Sequence, residues 1–220
     1  TDVISEEMIR QTPNLFAIVD FRGTVINVDI NAATENGVVI INTPGRNADG
    51  VADLAVAFMI MVARQLPSVI KAMQEGLWEK NGKYWMYTTH QGYDLPGKVV
   101  GLVGLGSIGK LVAERLKGFR AKVIGYDPYV KAEDVADLGI QLVSKEEVFA
   151  KSDFVSLHLP LNEQTKGTYG IKELSLMKPT SFLINTSRAA VFVEDELISF
   201  LQEEKIAGAA FDVYHNEPFG

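Results

Sequence analysis

The chain of 220 residues has an ordinary globular composition, with 47% hydrophobic and 22% charged residues and a formal net charge of −7. This acidic balance, without a dense Lys/Arg cluster, argues against a nucleic-acid partner. Cysteine is absent, which excludes disulfides, thiolate nucleophiles and cysteine-ligated zinc, and we predict no metal site. The longest apolar run, residues 54–63, is about half of a membrane span, and residues 1–3 show no signal-peptide pattern. We therefore expect a cytoplasmic protein without a membrane partner.

The first elements form a short α/β block. The pattern predicts helices over 5–11 and 30–36 and strands over 15–19 and 38–42, the second strand ending at Thr43-Pro44-Gly45. So few elements bury too little surface to fold alone. We therefore assign residues 1–46 to part of a second domain.

A long helix is predicted next, over 48–65, with Pro67 closing it. It is apolar nearly all round, so it should be buried between domains or subunits, and a homodimer would provide that cover. A further helix is predicted over 70–77. The polar and aromatic residues 81–91 are predicted to form a surface excursion.

From residue 98 onward short apolar runs alternate with helical segments. Strands are predicted at 99–103, 121–126, 141–143, 154–159, 181–185 and 207–212, and helices at 108–117, 131–138, 145–150, 171–176 and 195–204. Ser144 and Glu147 match a capping box. Six strands separated by helices predict an α/β fold with a doubly wound parallel sheet, the Rossmann plan that binds NAD(P), over residues 47–220.

The glycine-rich segment "GLGSIG", residues 104–109, follows a predicted strand and opens a helix. Gly104 permits the tight turn, Gly106 lets a pyrophosphate approach the backbone, and Gly109 lets helix and strand pack closely. Asp127 ends the next strand, where its carboxylate can accept both ribose hydroxyls and repel a 2′-phosphate. This combination favours NAD over NADP. The alternative is a tight turn that binds no nucleotide.

Residues that follow the later strands should face the same cofactor cleft, because ligands bind at the carboxyl ends of such strands. His158, Arg188 and Asp212 occupy these positions, and Glu217 comes five residues after Asp212. Arg188 could hold a carboxylate through two parallel hydrogen bonds and polarise an adjacent carbonyl. It could equally form a surface salt bridge with Glu194 or Asp195.

Several segments together resemble the D-isomer-specific 2-hydroxyacid dehydrogenases, which include phosphoglycerate, glycerate, glyoxylate and D-lactate dehydrogenases. They are "NVDINAATENGVVIINTPGRNA", "LPGKVVGLVGLGSIGKLVAERLKGF", "KVIGYDPY", "SDFVSLHLPLNEQTKGTYG", "MKPTSFLINTSRAAVFVEDEL" and "IAGAAFDVYHNEP". The resemblance runs through nearly the whole chain in family order. It implies that residues 1–46 are part of a flavodoxin-like substrate domain.

The resemblance also implies roles for individual residues. Arg188 matches the arginine that grips the substrate carboxylate, and Glu217 matches the glutamate that orients the catalytic histidine. The loop with Arg22, Gly23 and Thr24 matches the loop whose backbone meets the substrate carboxylate. The positions matched to cofactor contacts are Ser107, Ile108, Asp127, Pro160, Thr186, Ser187 and Asp212. We also expect Gly104, Gly106, Gly109, His158 and Thr165 to contact the cofactor.

The catalytic histidine of the family has no match here. It lies in a Pro-His segment well beyond the "NEP" motif, whereas the histidines of this chain are His90, His158 and His215. We expect none of the three to carry the proton. We therefore expect both ends of the enzyme to be absent from the 220 residues, which alone should be inactive.

These observations predict an NAD-dependent oxidoreductase that transfers a hydride between nicotinamide and C2 of a small D-2-hydroxy or 2-oxo acid. Arg22 adds a positive charge that indicates an acidic substrate. It could equally be a solvent-exposed cation of the loop with no ligand. The alternatives are a non-catalytic NAD-binding sensor or co-regulator on the same fold, or an inactive fragment.

Overall fold

The computed structural model describes residues 3–216 and divides the chain into two compact units, Thr1–Ala48 and Asp49–Gly220. The first unit contains helix α1 (Glu6–Arg10), strand β1 (Ala17–Asp20), helix α2 (Ile30–Glu35) and strand β2 (Val39–Asn42). The two strands are parallel, with Ala17 opposite Val39. The Asp29 side chain caps α2 by accepting a hydrogen bond from the Ala32 N–H at 2.9 Å.

The first unit has a small apolar core on one side of its two-stranded sheet. Ile9, Ile18, Val28 and Val38 are buried there, together with the two alanines of α2. Val19, which points to the other face of the sheet, is half-exposed.

Four helices come next, α3 (Ala48–Ala63), α4 (Leu66–Gln74), α5 (Leu77–Asn81) and α6 (Trp85–Thr89), and all but the first residue of α3 belong to the second unit. The predicted helix over 48–65 ends two residues early, because Gln65 adopts a left-handed conformation with φ of 52°. Pro67 does not close α3. It lies in the first turn of α4, where a missing N–H costs nothing. The excursion predicted over 81–91 in fact contains α6 and the end of α5.

One face of α3 is buried in the core of its own unit. Ala52, Ala55, Val56 and Met59 pack in the same cluster as strand residues of the large sheet. Among the described residues no single helix is long and apolar enough to cross a membrane. Only α3 and α4 taken together have the length and apolar composition of a membrane-spanning segment, and they are bent by 63° at the break between them.

A six-stranded parallel sheet forms the centre of the second unit. Its strands are β3 (Val99–Val103), β4 (Lys122–Tyr126), β5 (Ile140–Leu142), β6 (Phe154–Leu157), β7 (Phe182–Asn185) and β8 (Gly208–Phe211), in the spatial order β5-β4-β3-β6-β7-β8. Counted from β3 this is the order 3-2-1-4-5-6 of the doubly wound dinucleotide fold. The predicted fold class is confirmed.

Helices cover the sheet of the second unit. They are α7 (Ser107–Gly118), α8 (Lys145–Lys151), α9 (Ile171–Leu174) and α10 (Glu194–Gln202), with 3-10 helices at Ala132–Leu138 and Ala189–Val191. The predicted capping box of α8 is present, because Ser144 and Glu147 exchange side-chain to backbone hydrogen bonds. The strand order reverses between the neighbouring parallel strands β3 and β6, and a ligand cleft is expected at the carboxyl ends of these two strands.

Candidate functional site

The glycine-rich loop joins the end of β3 to the start of α7. Gly104 has φ of +93°, and a Cβ there would lie 2.5 Å from the carbonyl oxygen of His158. A Cβ on Gly109 would collide with the carbonyl oxygen of Gly104. Both positions therefore need glycine, because any side chain would push apart the loop, the helix and the end of β6.

Gly106 differs from the other two glycines, since a Cβ added there would meet nothing within 4 Å. It is also the N-cap residue of α7, and no side chain caps that helix terminus. Ser107 and Ile108 form the first turn beyond it. Open space in front of uncapped backbone N–H groups is what the pyrophosphate of a dinucleotide requires.

Asp127 follows β4 and is tied to the glycine-rich loop. Its Oδ2 accepts a hydrogen bond from the Leu105 N–H at 2.9 Å, and its Oδ1 accepts one from the Tyr129 N–H at 2.9 Å. Each carboxylate oxygen has a second lone pair that could accept a ribose hydroxyl. The two backbone bonds fix the carboxylate beside the loop, so both halves of the dinucleotide fingerprint lie together.

His158 follows β6 and is buried behind the glycine-rich loop. Its Nε2 lies 3.0 Å from the Ser156 Oγ, whereas its Nδ1 is buried without a partner. Burial lowers the pKa of His158 to about 4, so the ring is neutral at pH 7. A proton carrier needs a pKa nearer the working pH. The ring therefore suits a place in the wall of the cleft better than a catalytic role.

The burial of His158 predicts a loss of stability in acid. The pKa of about 4 in the folded chain lies below the ordinary histidine pKa of 6.5, so the unfolded chain binds the proton more readily. The stability present above pH 6.5 should fall by about 3 kcal/mol as the pH drops to 4. Urea unfolding at several pH values should show that the free energy of unfolding depends less steeply on pH in His158→Asn than in the natural chain. His90→Asn is the matched control, and an unchanged dependence in His158→Asn would contradict the prediction.

The turn after β7 is organised by Asn185, which is fully buried. Its Oδ1 accepts hydrogen bonds from the Ser187 N–H at 3.0 Å and the Ser187 hydroxyl at 2.7 Å, and its Nδ2 donates to the Arg188 carbonyl at 3.1 Å. The hydroxyl of Thr186 is buried in this turn without a partner. An unpaired buried hydroxyl at the carboxyl end of a parallel strand is suited to contact a cofactor.

Arg188 is exposed, and its Nη1 donates to the Ser187 carbonyl at 2.7 Å. The alternative salt bridge with Glu194 or Asp195 is not found among the described residues. Glu194 instead lies 3.6 Å from the Nδ1 of His215. The guanidinium therefore keeps most of its donors available for a carboxylate ligand.

The loop after β6 carries Pro160 and Thr165. The Thr165 hydroxyl donates to the Pro160 carbonyl at 2.6 Å, and the Asn162 side chain accepts from the Thr165 N–H at 3.0 Å. Tyr129 donates its hydroxyl to Gln164 at 2.8 Å and so connects this loop with the loop after β4. Sequence reasoning missed Asn162 and Asn185, although an Asn side chain in a loop commonly hydrogen-bonds the backbone two residues on.

The remaining predicted residues have different positions. Asp212 directly follows β8, and its N–H donates to the Asn185 carbonyl at 3.0 Å. Glu217 lies outside the described residues. Arg22, Gly23 and Thr24 belong to the first unit, in the loop after β1. The described residues contain no group of three or more His, Asp or Glu side chains that could hold a metal ion.

The residues at this edge of the sheet fit a dinucleotide. The space at Gly106, the fixed carboxylate of Asp127 and the unpaired Thr186 hydroxyl are all available to it. The three groups follow β3, β4 and β7, so they share the carboxyl edge of one parallel sheet.

Comparison with known proteins agrees with this geometry. Residues 56–220 match the family model described as "D-isomer specific 2-hydroxyacid dehydrogenase, NAD binding domain". The chain is 41% identical over 219 residues to a glyoxylate reductase of Thermococcus litoralis, covering 100% of this chain and 66% of that protein. It is 33% identical over 216 residues to a D-3-phosphoglycerate dehydrogenase of Methanocaldococcus jannaschii, covering 98% and 40% of the two chains.

A solved structure shows the same likeness. The crystal structure of a glyoxylate reductase from Paecilomyes thermophila superposes with a TM-score of 0.82 at 35% identity, covering 100% of this chain and 65% of that one. The chain thus spans about two thirds or less of the length of these relatives. With a family model matched over most of its length and a Rossmann sheet that carries the glycine-rich fingerprint, the chain belongs to the D-isomer-specific 2-hydroxyacid dehydrogenase family and contains its NAD-binding domain.

Proposed function

We propose that the protein is an NAD-dependent dehydrogenase or reductase acting on a small D-2-hydroxy or 2-oxo acid of the glyoxylate, hydroxypyruvate or phosphoglycerate type. The observation that carries the proposal is Arg188, an exposed cation without an ion pair among the described residues, held at the same sheet edge as the glycine-rich loop. That arrangement suits an acid bound beside a dinucleotide.

Each residue of this edge then has a role. Arg188 binds the substrate carboxylate with its planar fork and draws electron density from the neighbouring C2 carbonyl. Asp127 accepts hydrogen bonds from the adenosine ribose. Asp212 and Thr186 lie on the nicotinamide side. Bound NAD supplies the hydride acceptor, and NADH the hydride donor.

The proton is carried by a different group. His158 is buried and neutral, and neither His90 nor His215 matches the Pro-His segment of the family. We propose that a histidine outside these 220 residues transfers the proton, and that Glu217 orients it and raises its pKa. Residues 1–46 then supply part of the substrate domain, including Arg22, Gly23 and Thr24, while residues 47–220 supply the NAD-binding domain. A homodimer is part of the same proposal.

Binding measurements test the proposal without requiring turnover. NADH fluorescence should show binding of NADH at least tenfold tighter than binding of NADPH, and Asp127→Ser should reduce that preference because it removes the repulsion of a 2′-phosphate. Oxamate, an unreactive 2-oxo acid analogue, should bind only when NADH is present.

The other outcomes separate the alternatives. Absence of NADH binding would overturn the whole proposal. Binding of NADH without any binding of oxamate would replace the dehydrogenase by an NAD-binding sensor. Turnover of glyoxylate by the 220 residues alone would overturn the assignment of the proton carrier to a histidine outside them.

A further inference from the structure

A side-chain hydrogen bond joins two loops of the second unit that leave the sheet on either side of β3. The Tyr129 hydroxyl, in the loop after β4, donates to the Oε1 of Gln164, in the loop after β6, at 2.8 Å. The two residues are 35 positions apart in the chain. Both are exposed, so the packing of the core does not require this contact. We call it the Tyr129–Gln164 bridge.

The bridge spans the carboxyl end of β3. Strands β4 and β6 pair with β3 on its two sides, so the ends of β4 and β6 are about 10 Å apart. The glycine-rich loop leaves the sheet between them, at the end of β3. Two side chains that meet from opposite sides therefore close a ring of protein over the start of the glycine-rich loop.

The tyrosine end of the bridge is held by the dinucleotide fingerprint. The Tyr129 N–H donates to the Oδ1 of Asp127 at 2.9 Å, and the Oδ2 of the same carboxylate accepts from the Leu105 N–H at 2.9 Å. The carboxylate is thus fixed at both oxygens, and it fixes in turn the backbone that carries the tyrosine ring. The ring starts two residues from the group that we assign to the adenosine ribose.

The glutamine end of the bridge is held by its own loop. The Gln164 N–H donates to the Oδ1 of Asn162 at 2.9 Å, and the Gln164 carbonyl accepts from the Thr168 hydroxyl at 2.9 Å. The neighbouring Thr165 hydroxyl donates to the Pro160 carbonyl at 2.6 Å. Because both ends are ordered by other bonds, little conformational entropy is lost when the bridge forms.

We infer that the Tyr129–Gln164 bridge closes over the adenosine half of NAD and sets the rate at which the cofactor enters and leaves. Asp127 marks the ribose and Gly106 marks the pyrophosphate, so a dinucleotide that follows the glycine-rich loop passes through the ring of protein. Tyr129 and Gln164 are then positioning residues, which hold two loops around the cofactor and take no part in hydride transfer. This role rests on the binding of NAD in the proposed function, and not on the identity of the acid or of the proton carrier.

The bridge should affect rates more than affinity. It joins two side chains of the protein itself and needs no cofactor atom, so it forms as readily before binding as after it. Adenosine must therefore part the two side chains on entry and again on release. The net strength of one hydrogen bond corresponds to a factor of about two to ten in each rate constant.

Stopped-flow fluorescence of NADH with Tyr129→Phe and Gln164→Ala provides the test. The association and dissociation rate constants should both rise about two- to tenfold in each variant, with the dissociation constant within about twofold of that of the natural chain. The double variant should show no further rise, because the second substitution removes a bond that is already lost. ADP-ribose, which carries the same adenosine, should show the same acceleration in competition with NADH.

Matched controls are Tyr87→Phe and Gln74→Ala, which alter an exposed tyrosine of α6 and an exposed glutamine of α4. Neither should change a rate constant. The midpoint of urea unfolding should be the same in the bridge variants as in the natural chain, because Tyr129 and Gln164 are both exposed.

Four results would overturn the inference. They are unchanged rate constants in Tyr129→Phe, an equal change in Tyr87→Phe, acceleration of NADH without acceleration of ADP-ribose, and a change in the dissociation constant as large as the change in either rate constant. A tighter constant would show that the bridge obstructs the cofactor, and a weaker one that it only supports a loop. Unchanged NADH rates in both bridge variants would contradict the bridge alone, whereas failure of oxamate to bind the NADH complex would contradict the proposed function alone.

Discussion

Gly109→Ala should abolish NADH binding and destabilise the second unit, whereas Gly118→Ala at the other end of α7 should leave NADH binding unchanged and should not lower stability. The added methyl at position 109 would collide with the Gly104 carbonyl oxygen, which is backbone and cannot rotate away. At position 118 it would meet nothing within 4 Å. We expect the collision to lower the free energy of unfolding by about 1–3 kcal/mol, as overpacking does in other cores.

Gly106→Ala separates binding from folding at the same loop. Its methyl would meet no protein atom within 4 Å, so the free energy of unfolding should change little. It would, however, occupy the space that the pyrophosphate needs, and NADH affinity should fall at least tenfold. Urea unfolding and NADH fluorescence on the three variants provide the measurement. Normal NADH affinity in Gly106→Ala would show that the pyrophosphate does not approach this residue.

The large sheet was predictable from the sequence because parallel strands are buried on both faces. Their near-continuous apolar runs stand out from the amphipathic helices between them, and the run at 99–103 has the bounds that β3 has in the structure. The run predicted over 154–159 is longer than β6, which ends at Leu157. Pro160 comes three residues after Leu157 and has no N–H to donate to a ladder.

Other features depend on contacts that a linear pattern does not contain. The end of α3 is set partly by Tyr93, which lies thirty residues further along the chain. Its N–H donates to the Ala63 carbonyl at 2.8 Å. Helix α6 combines polar and aromatic residues without an apolar stripe, so no periodicity indicated it. The burial of His158 behind the glycine-rich loop likewise follows from the adjacency of β3 and β6 in the sheet, which only the topology determines.

The sequence indicated candidate residues for the site but not the hydrogen bonds among them. The glycine spacing and Asp127 indicated a dinucleotide, yet the bond between the Leu105 N–H and that carboxylate appears only in the structure. Arg188 posed a choice between a ligand contact and a salt bridge. The structure disfavours the salt bridge, because Glu194 lies near His215 instead.

Arg188→Gln should lower the kcat/KM of the active enzyme by about 10²–10³-fold, the usual cost of removing a charged group that stabilises a developing negative charge. The amide keeps the shape of the side chain near the Ser187 carbonyl but loses the paired donors and the charge. Arg188→Lys should recover only part of the activity, since an ammonium cannot form the fork.

The same variants allow a test that does not depend on turnover. NADH affinity should remain within a few-fold of the natural chain in Arg188→Gln, because Asp127 and the glycine-rich loop are untouched, while oxamate binding to the NADH complex should fall by a similar factor of about 10²–10³. Arg120→Gln removes an exposed arginine elsewhere in the second unit and should leave both affinities unchanged. If oxamate bound normally to Arg188→Gln, the substrate carboxylate would have to be held by another group, and the loop of Arg22 would become the first candidate.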